Sequence, residues 1–341
     1  MHRLLLILFV SCIALLLLAS CGGRLPADCP PDCIGLNLFS RNLQGIKLDD
    51  AQLIETNLSK ANMVGASLKN ANMTGAHLKE TNLESADLTG ALLTGADLSN
   101  ANLRNAKLDG VDLRGANLQG ATLSRVNMTN TRLDGVDFRN AELIGSDFSQ
   151  VNLSGAIMVY ANLSGSDMHA SSLRGSNFSS ADLSGVNLQN ALLSGSRWTL
   201  AKLIAANLTQ SNLTGADLFG ADLTGAKLTN AKLNGAILIG ANLSGADLRG
   251  ADLSGAVLLL PLPPDASSDF TYQTLSGEDL RNELAKTDIG KILFDPFITE
   301  LNETQLKPLL ADALLQGVIY NRDTIWPLGY PIPASAVFQE R

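Results

Sequence analysis

Aromatic side chains are scarce, at 5% of the 341 residues. A conventional mixed α/β core draws much of its volume from rings, so that architecture is disfavoured and any interior must be filled by small and aliphatic side chains. Basic charge is also short, with 25 Lys and Arg against 33 Asp and Glu, a net charge of −8. Non-specific nucleic-acid binding depends on clustered cations that release counterions, so no nucleic acid is expected as a partner. Nor is there an apolar run long enough to cross a bilayer. The longest extends from Leu4 to Leu18, broken only by Ser11 and Cys12, and falls below the roughly 20 residues a spanning helix needs.

That run follows Met1-His2-Arg3 and has the form of a signal-peptide core. Directly after it stands Leu18-Ala19-Ser20-Cys21, which resembles a bacterial lipobox: a branched apolar residue, two small ones, then the cysteine that receives diacylglycerol. The resemblance implies that residues 1–20 are a lipoprotein signal peptide and that the mature chain begins at Cys21. It also implies acyl chains such as palmitate on Cys21, hence an exported protein attached to a membrane. Gly22, in place of an Asp, leans toward the outer membrane rather than the outer face of the cytoplasmic membrane. The alternatives are an ordinary cleavage site with an incidental cysteine, and a retained transmembrane anchor.

Of the four cysteines, Cys12 leaves with the signal and Cys21 takes the lipid, which leaves Cys29 and Cys33. An oxidising compartment permits a disulfide, and the loop Cys29-Pro30-Pro31-Asp32-Cys33 is short enough to close. The other reading, half of a metal site, lacks ligands nearby, because His77 and His169 are far away in sequence.

From Leu38 every fifth residue through Leu258 is Leu, Met, Phe or Trp, 45 positions without an insertion or deletion. Two residues before each centre stands a small or β-branched residue, with exceptions at Leu36, Arg41 and Ile46, and the position between is mostly Asn or Asp. Of the 30 glycines, 23 fall two residues after a centre, which marks a corner where the chain bends with positive φ. A period of five fits neither the 3.6 of an α-helix nor the 2 of a strand. Four near-right-angle bends close a square coil instead. Residue n then lies under residue n+20, at about 4.8 Å.

The consensus Ala-Asp/Asn-Leu-x-Gly resembles the pentapeptide-repeat family over about two thirds of the chain. The resemblance implies an all-β fold, a right-handed quadrilateral β-helix, and supplies the hand that periodicity does not. The expected domains are residues 21–35 as lipid attachment and N-terminal cap or linker, 36–260 as β-helix, and 261–341 as a small, partly helical C-terminal cap. At four repeats per coil the rod has about 11 coils and a length on the order of 50 Å.

Bulky centres test the twenty-residue coil. Phe138, Met158, Phe178 and Trp198 are twenty apart, and Met128, Phe148 and Met168 form a second row displaced by ten, on the opposite side. Both rows are expected in the core. Ser146, Ser166, Ser176 and Ser196 stand two residues before bulky centres, where they make room.

Beyond Leu260 the period stops at Pro261-Leu262-Pro263-Pro264. Ser276 with Glu278 and Asp279 predicts a helix reaching about Lys286, and the leucines from Leu301 to Leu314 predict another over 299–315. The stretch 317–330 resembles a terminal segment common beyond the repeats in the family, which completes or covers the last coil.

Catalysis needs a singular constellation, and each Ser, Asp or Asn here is one copy of many, so no catalytic residue and no cofactor is expected. His77 and His169 read as surface residues. One column, Asn127, Asp147, Asp167, Asn187 and Asn207, is a weak calcium candidate through Asp147 and Asp167, set against amide ladders that need no metal. The reading carried forward is a non-enzymatic scaffold, membrane-bound through lipid on Cys21, with unidentified protein partners and a homodimer left open. The alternatives are a calcium-binding envelope protein and the DNA-mimicking, gyrase-interacting type that the family resemblance implies. Residues 36–260, with 17 basic and 19 acidic side chains, make a poor polyanion.

Overall fold

A computed structural model of the chain describes residue 25, residues 29–258, residue 315 and residues 318–320, 322–328, 332 and 334–339. Every repeat from Leu38 to Leu253 has the same form: a bridging residue, an inward-facing centre and a two-residue turn. Parallel bridges join n to n+20 on four successive sides, as in Asn37↔Asn57, Asn42↔Asn62, Lys47↔Ser67 and Gln52↔Asn72. They continue to Ile237↔Val257 and form a β-helix solenoid.

Within each repeat the backbone amides are accounted for one by one. The amide of centre Leu38 donates to Asn57 O at 2.7 Å, that of Ser40 donates to Ser59 O at 2.9 Å, and that of Asn57 donates down to Leu36 O at 2.9 Å. A fourth closes the turn, Arg41 N to Leu38 O at 3.2 Å. The amide just after the centre remains. It is taken by the Asn or Asp side chain two residues earlier, as in Phe39 N to Asn37 Oδ1 at 3.1 Å and Ser59 N to Asn57 Oδ1 at 3.1 Å. The Asn/Asp preference before each centre therefore has a backbone cause: it supplies an acceptor to an amide the ladder does not use.

At the corners 24 glycines with positive φ are joined by 20 other residues, so the bend is not imposed by glycine alone. Even Tyr160 (φ 58°) and Leu200 (φ 59°) take it, although a Cβ there costs about 1–2 kcal/mol. Their amides donate to Ser179 O at 3.1 Å and Phe219 O at 2.9 Å, so the ladder on the next coil holds the conformation.

The interior contains the centres and the small residues two before them. Leu48 through Leu253 are essentially inaccessible to solvent at the centre positions, and each buried leucine stabilises the coil by about 1.5–3 kcal/mol. The two bulky rows meet across the interior, where Phe138 and Phe148 pack edge to face with centroids 6.0 Å apart. The small serines do more than make room. Ser146 Oγ donates to Leu123 O at 2.7 Å and Ser166 Oγ to Leu143 O at 2.9 Å, so the hydroxyls buried with them are satisfied.

The C-terminal segment re-enters the ladder. Leu248 N, whose partner in a continuing repeat would be residue 267, donates to Ile319 O at 2.7 Å, and Leu253 N donates to Ile325 O at 2.7 Å. Thr324 Oγ1 donates to Leu248 O at 2.8 Å, the bond that Thr81 makes to Leu58 O at 2.8 Å within the repeats. Ile319 to Ile325 takes six residues where a repeat takes five. Strand β1 (Ile319–Tyr320) then pairs in parallel with β2 (Val337–Phe338), which lays one more strand over this part of the ladder's end. The helices expected over 276–286 and 299–315 lie outside the described residues, apart from Leu315, which is buried and non-helical.

Candidate interaction surface

Because the centres and small residues point inward, the surface is drawn from the three remaining positions of each repeat, stacked in columns at the twenty-residue spacing, although some of them, such as Ser179, Thr199 and Phe219, are buried. The polar columns bond to themselves. Asn62 Nδ2 donates to Asn42 Oδ1 at 3.0 Å, Asn102 Nδ2 to Asn82 Oδ1 at 3.0 Å, and Asn117 Nδ2 to Asp97 Oδ1 at 3.1 Å.

In the column of Asn127, Asp147, Asp167, Asn187 and Asn207, Asn187 Nδ2 donates to Asp167 Oδ1 at 3.0 Å and Asn207 Nδ2 to Asn187 Oδ1 at 3.1 Å. Asp167 Oδ1 also accepts the His169 amide at 3.0 Å and lies 2.9 Å from His169 Nδ1, while Asp147 Oδ1 accepts Ser149 N at 2.9 Å. The carboxylates of this column are thus engaged by neighbouring donors. Among the described residues no group of three or more His, Cys, Asp or Glu is placed to hold a metal ion.

A set of ion pairs was not singled out in the sequence. Arg114 grips Asp112 through Nε to Oδ1 at 2.9 Å and Nη2 to Oδ2 at 2.7 Å, and Arg132 Nη1 approaches the same carboxylate from the next coil at 3.5 Å. Asp137 with Arg139 and Asp247 with Arg249 repeat the motif. The signal was readable: Asp before a centre and Arg after it, as in Asp112-Leu113-Arg114, place a fork and a carboxylate side by side. The Arg114 hydrogen bond holds the Asp112 carboxyl below the usual carboxylate range against the opposing effect of burial. Arg249 does the same for Asp247. For Asp87 and Asp182, burial opposes ionisation and is outweighed by the hydroxyl and amide of Thr89 and Ser184.

Phe138, Met158, Phe178, Trp198, Met128, Phe148 and Met168 are all 0% exposed, and so belong to the interior rather than to a binding face. Cys29 and Cys33 are joined by a disulfide, and Cys33 stands at the centre position five residues before Leu38, fully buried. Thr56 Oγ1 donates to Cys33 O at 2.7 Å, which ties this first turn to the coil above it. Cys21 lies outside the described residues. Near the same end Ile34 and Phe39 are exposed apolar side chains.

A family model described as pentapeptide repeats (8 copies) matches residues 37–75, 76–115, 112–150, 146–185, 181–220 and 216–255. The chain belongs to the pentapeptide-repeat family. Membership identifies the solenoid as the family's right-handed β-helix. HetL, a pentapeptide-repeat protein involved in heterocyst differentiation regulation in the cyanobacterium Nostoc sp. strain PCC 7120, is 31% identical. The match covers 70% of this chain and 91% of HetL, with a TM-score of 0.26. Rfr23 from the cyanobacterium Cyanothece 51142 is 34% identical over 33% of this chain and 92% of its own, with a TM-score of 0.32. Full-length QnrB1, a plasmid-mediated fluoroquinolone resistance protein, is 20% identical over 50% of this chain and 83% of its own, with a TM-score of 0.21. No match is found among curated proteins. Membership rests on the repeats and on the identity to HetL.

Proposed function

We propose that this pentapeptide-repeat chain is a non-enzymatic scaffold, tethered by lipid on Cys21 outside the cytoplasm, that presents the sides of a rod of about 11 coils to protein partners of the cell envelope. The observation that carries the reading is the chemical equivalence of the outward positions. Their Asn and Asp side chains recur coil after coil, bonded to the following amide and to one another. A surface so arranged supplies shape and regular polarity, which suits docking of a partner along a side rather than conversion of a small substrate. The tether comes from the sequence Leu18-Ala19-Ser20-Cys21, placed shortly before the first coil. The Cys29–Cys33 bond secures that coil at the end of the rod nearest the lipid. Ile319 and Ile325, paired on the last coil, protect the far end from edge-to-edge association.

The test is metabolic labelling of the producing bacterium with an alkyne-bearing palmitate, comparing the natural chain with Cys21→Ala. Label in the natural chain, lost in the variant together with membrane sedimentation, supports the tether. An unlabelled natural chain, or a Cys21→Ala chain that keeps its label, rejects it. Crosslinking in intact cells followed by recovery of the rod tests the scaffold half, which requires a specific protein captured by side-chain positions of the repeats.

A further inference from the structure

One corner of the rod differs from all the others. Every fifth residue from Gly35 to Gly255 turns with positive φ except Asn130. The ladder is cut on both sides of it. Between Asp32 and Val257 the bridges from n to n+20 fail at two places among the described residues, Lys107 with Asn127 and Arg132 with Asn152. The amides of Leu108, Gly110 and Asn127, and of Leu133, Gly135 and Asn152, make none of the bonds to a neighbouring coil that their equivalents make, such as Leu88 N to Lys107 O at 2.9 Å and Leu153 N to Ser172 O at 2.7 Å. The chain changes partners at this corner. Before it, Met128 N donates up to Asp147 O at 2.7 Å, and after it, Arg132 N donates down to Val111 O at 3.0 Å. Side chains span the two gaps instead: Asn130 Nδ2 donates to Asp109 Oδ1 at 2.7 Å, and Asn152 Nδ2 to Asp134 Oδ1 at 2.8 Å. The surface is parted there too. Asn127 and Asn152 are exposed, whereas every other bridging Asn from Asn57 to Asn242 is half-buried.

Packing supplies the cause. Val126, Thr131 and Val136 fill three consecutive small positions with buried β-branched side chains, and at the same level the centres change from Leu108 and Leu118 to Met128 and Phe138. The interior therefore widens within one coil, and extra methylenes in a close-packed core displace the backbone around them. Thr131 shows the displacement. Thr56 and Thr81 reach down to Cys33 O at 2.7 Å and Leu58 O at 2.8 Å, whereas Thr131 Oγ1 turns to Met128 O, three residues earlier, at 2.6 Å. We infer that residues 127–135 form a joint at which the rod bends. The two sides that meet at Asn130 are each cut once, and the bridges of the other two sides are continuous, as in Asn117↔Asp137 and Thr122↔Glu142. Opening at the cut corner and hinging on the two whole sides is the motion that breaks no further bridge. About five coils lie below the joint and about six above it. Two stiff halves can set their angle to a partner curved along its length, which a single straight rod could not.

The inference concerns the rod alone and stands apart from lipidation and from partner binding. In the unaltered full chain, hydrogen exchange should run at least about tenfold faster at the Leu108 and Leu133 amides than at Leu88 and Leu153, their equivalents one coil away. Equal rates would overturn the joint. Bending is read by pulsed electron spin resonance between nitroxides carried on p-acetylphenylalanine, which leaves the cysteines untouched. Labels replacing Thr94 and Ser194 stand five coils apart across the joint, about 24 Å, and labels replacing Ser154 and Ser254 stand equally far apart above it. The first distance distribution should be at least about twice as broad as the second. Equal widths would overturn the bending. Asn152→Ala removes the clip to Asp134 and should broaden the first distribution further, whereas Asn162→Ala, at a bridging position away from the joint, should leave it unchanged. An Asn152→Ala chain no broader than the Asn162→Ala chain would also count against the joint.

Discussion

The ring of Phe178 lies flat on that of Trp198 one coil above, with centroids 4.2 Å apart and planes 7° from parallel. Trp198 Nε1 donates to Ser196 Oγ at 2.6 Å, so the indole is fixed by stacking on one face and by a hydrogen bond at its edge. Phe178→Ala opens a cavity beneath the indole and costs about 3–5 kcal/mol, read from denaturant unfolding followed by tryptophan emission. Phe178→Leu restores the side chain found at Leu118 and Leu218 of the same column and costs less.

Asn187 serves two amides and a ladder. Its Oδ1 accepts Gln189 N at 3.3 Å and Asn207 Nδ2 at 3.1 Å, while its Nδ2 donates to Asp167 at 3.0 Å. Asn187→Ala removes these bonds and leaves a backbone amide without its acceptor, for a loss of about 1–3 kcal/mol. Hydrogen exchange should show the Gln189 amide accelerated well beyond its neighbours. Equal exchange in the two proteins would mean that the Asn/Asp preference has another cause.

Acid should weaken the rod through its gripped carboxylates. The Asp112 carboxyl is held low, first by its hydrogen bonds from Arg114, against burial, and Asp247 is held low by Arg249. A depressed folded value means stabilisation that is complete above the unfolded pKa, about 3.9, and is lost as pH falls through the folded value. The melting temperature should hold between about pH 7 and pH 5 and then decline below about pH 4. Asp112→Asn should lower it at neutral pH and shrink the decline.

The solenoid was legible because its determinant is local and repeated. Leu38 to Leu258 set the period, and the observed bridges follow at twenty residues. Glycine marked the corners but not their full membership. Tyr160 and Leu200 bend the same way because hydrogen bonds to the next coil set their backbone, which no residue preference announces. The return of Ile319 and Ile325 to the ladder was obscured by one extra residue between them, which breaks the count of five. Phe219 and Ile239 occupy the position after a centre, outward in the repeat pattern, and are nonetheless fully buried, which the period does not announce.

Stacking of residue n on residue n+20 underlies each of these points, and an engineered crosslink tests it most directly. The Gly165 amide donates to Ser184 O at 2.9 Å, which sets Ser164 beneath Ser184 at about 4.8 Å, a spacing a disulfide can bridge. Ser164→Cys with Ser184→Cys should form an intramolecular disulfide under mild oxidation, and Ser164→Cys with Arg174→Cys, on opposite sides of the coil, should not. A bond in the second pair, or in neither, would contradict the square coil.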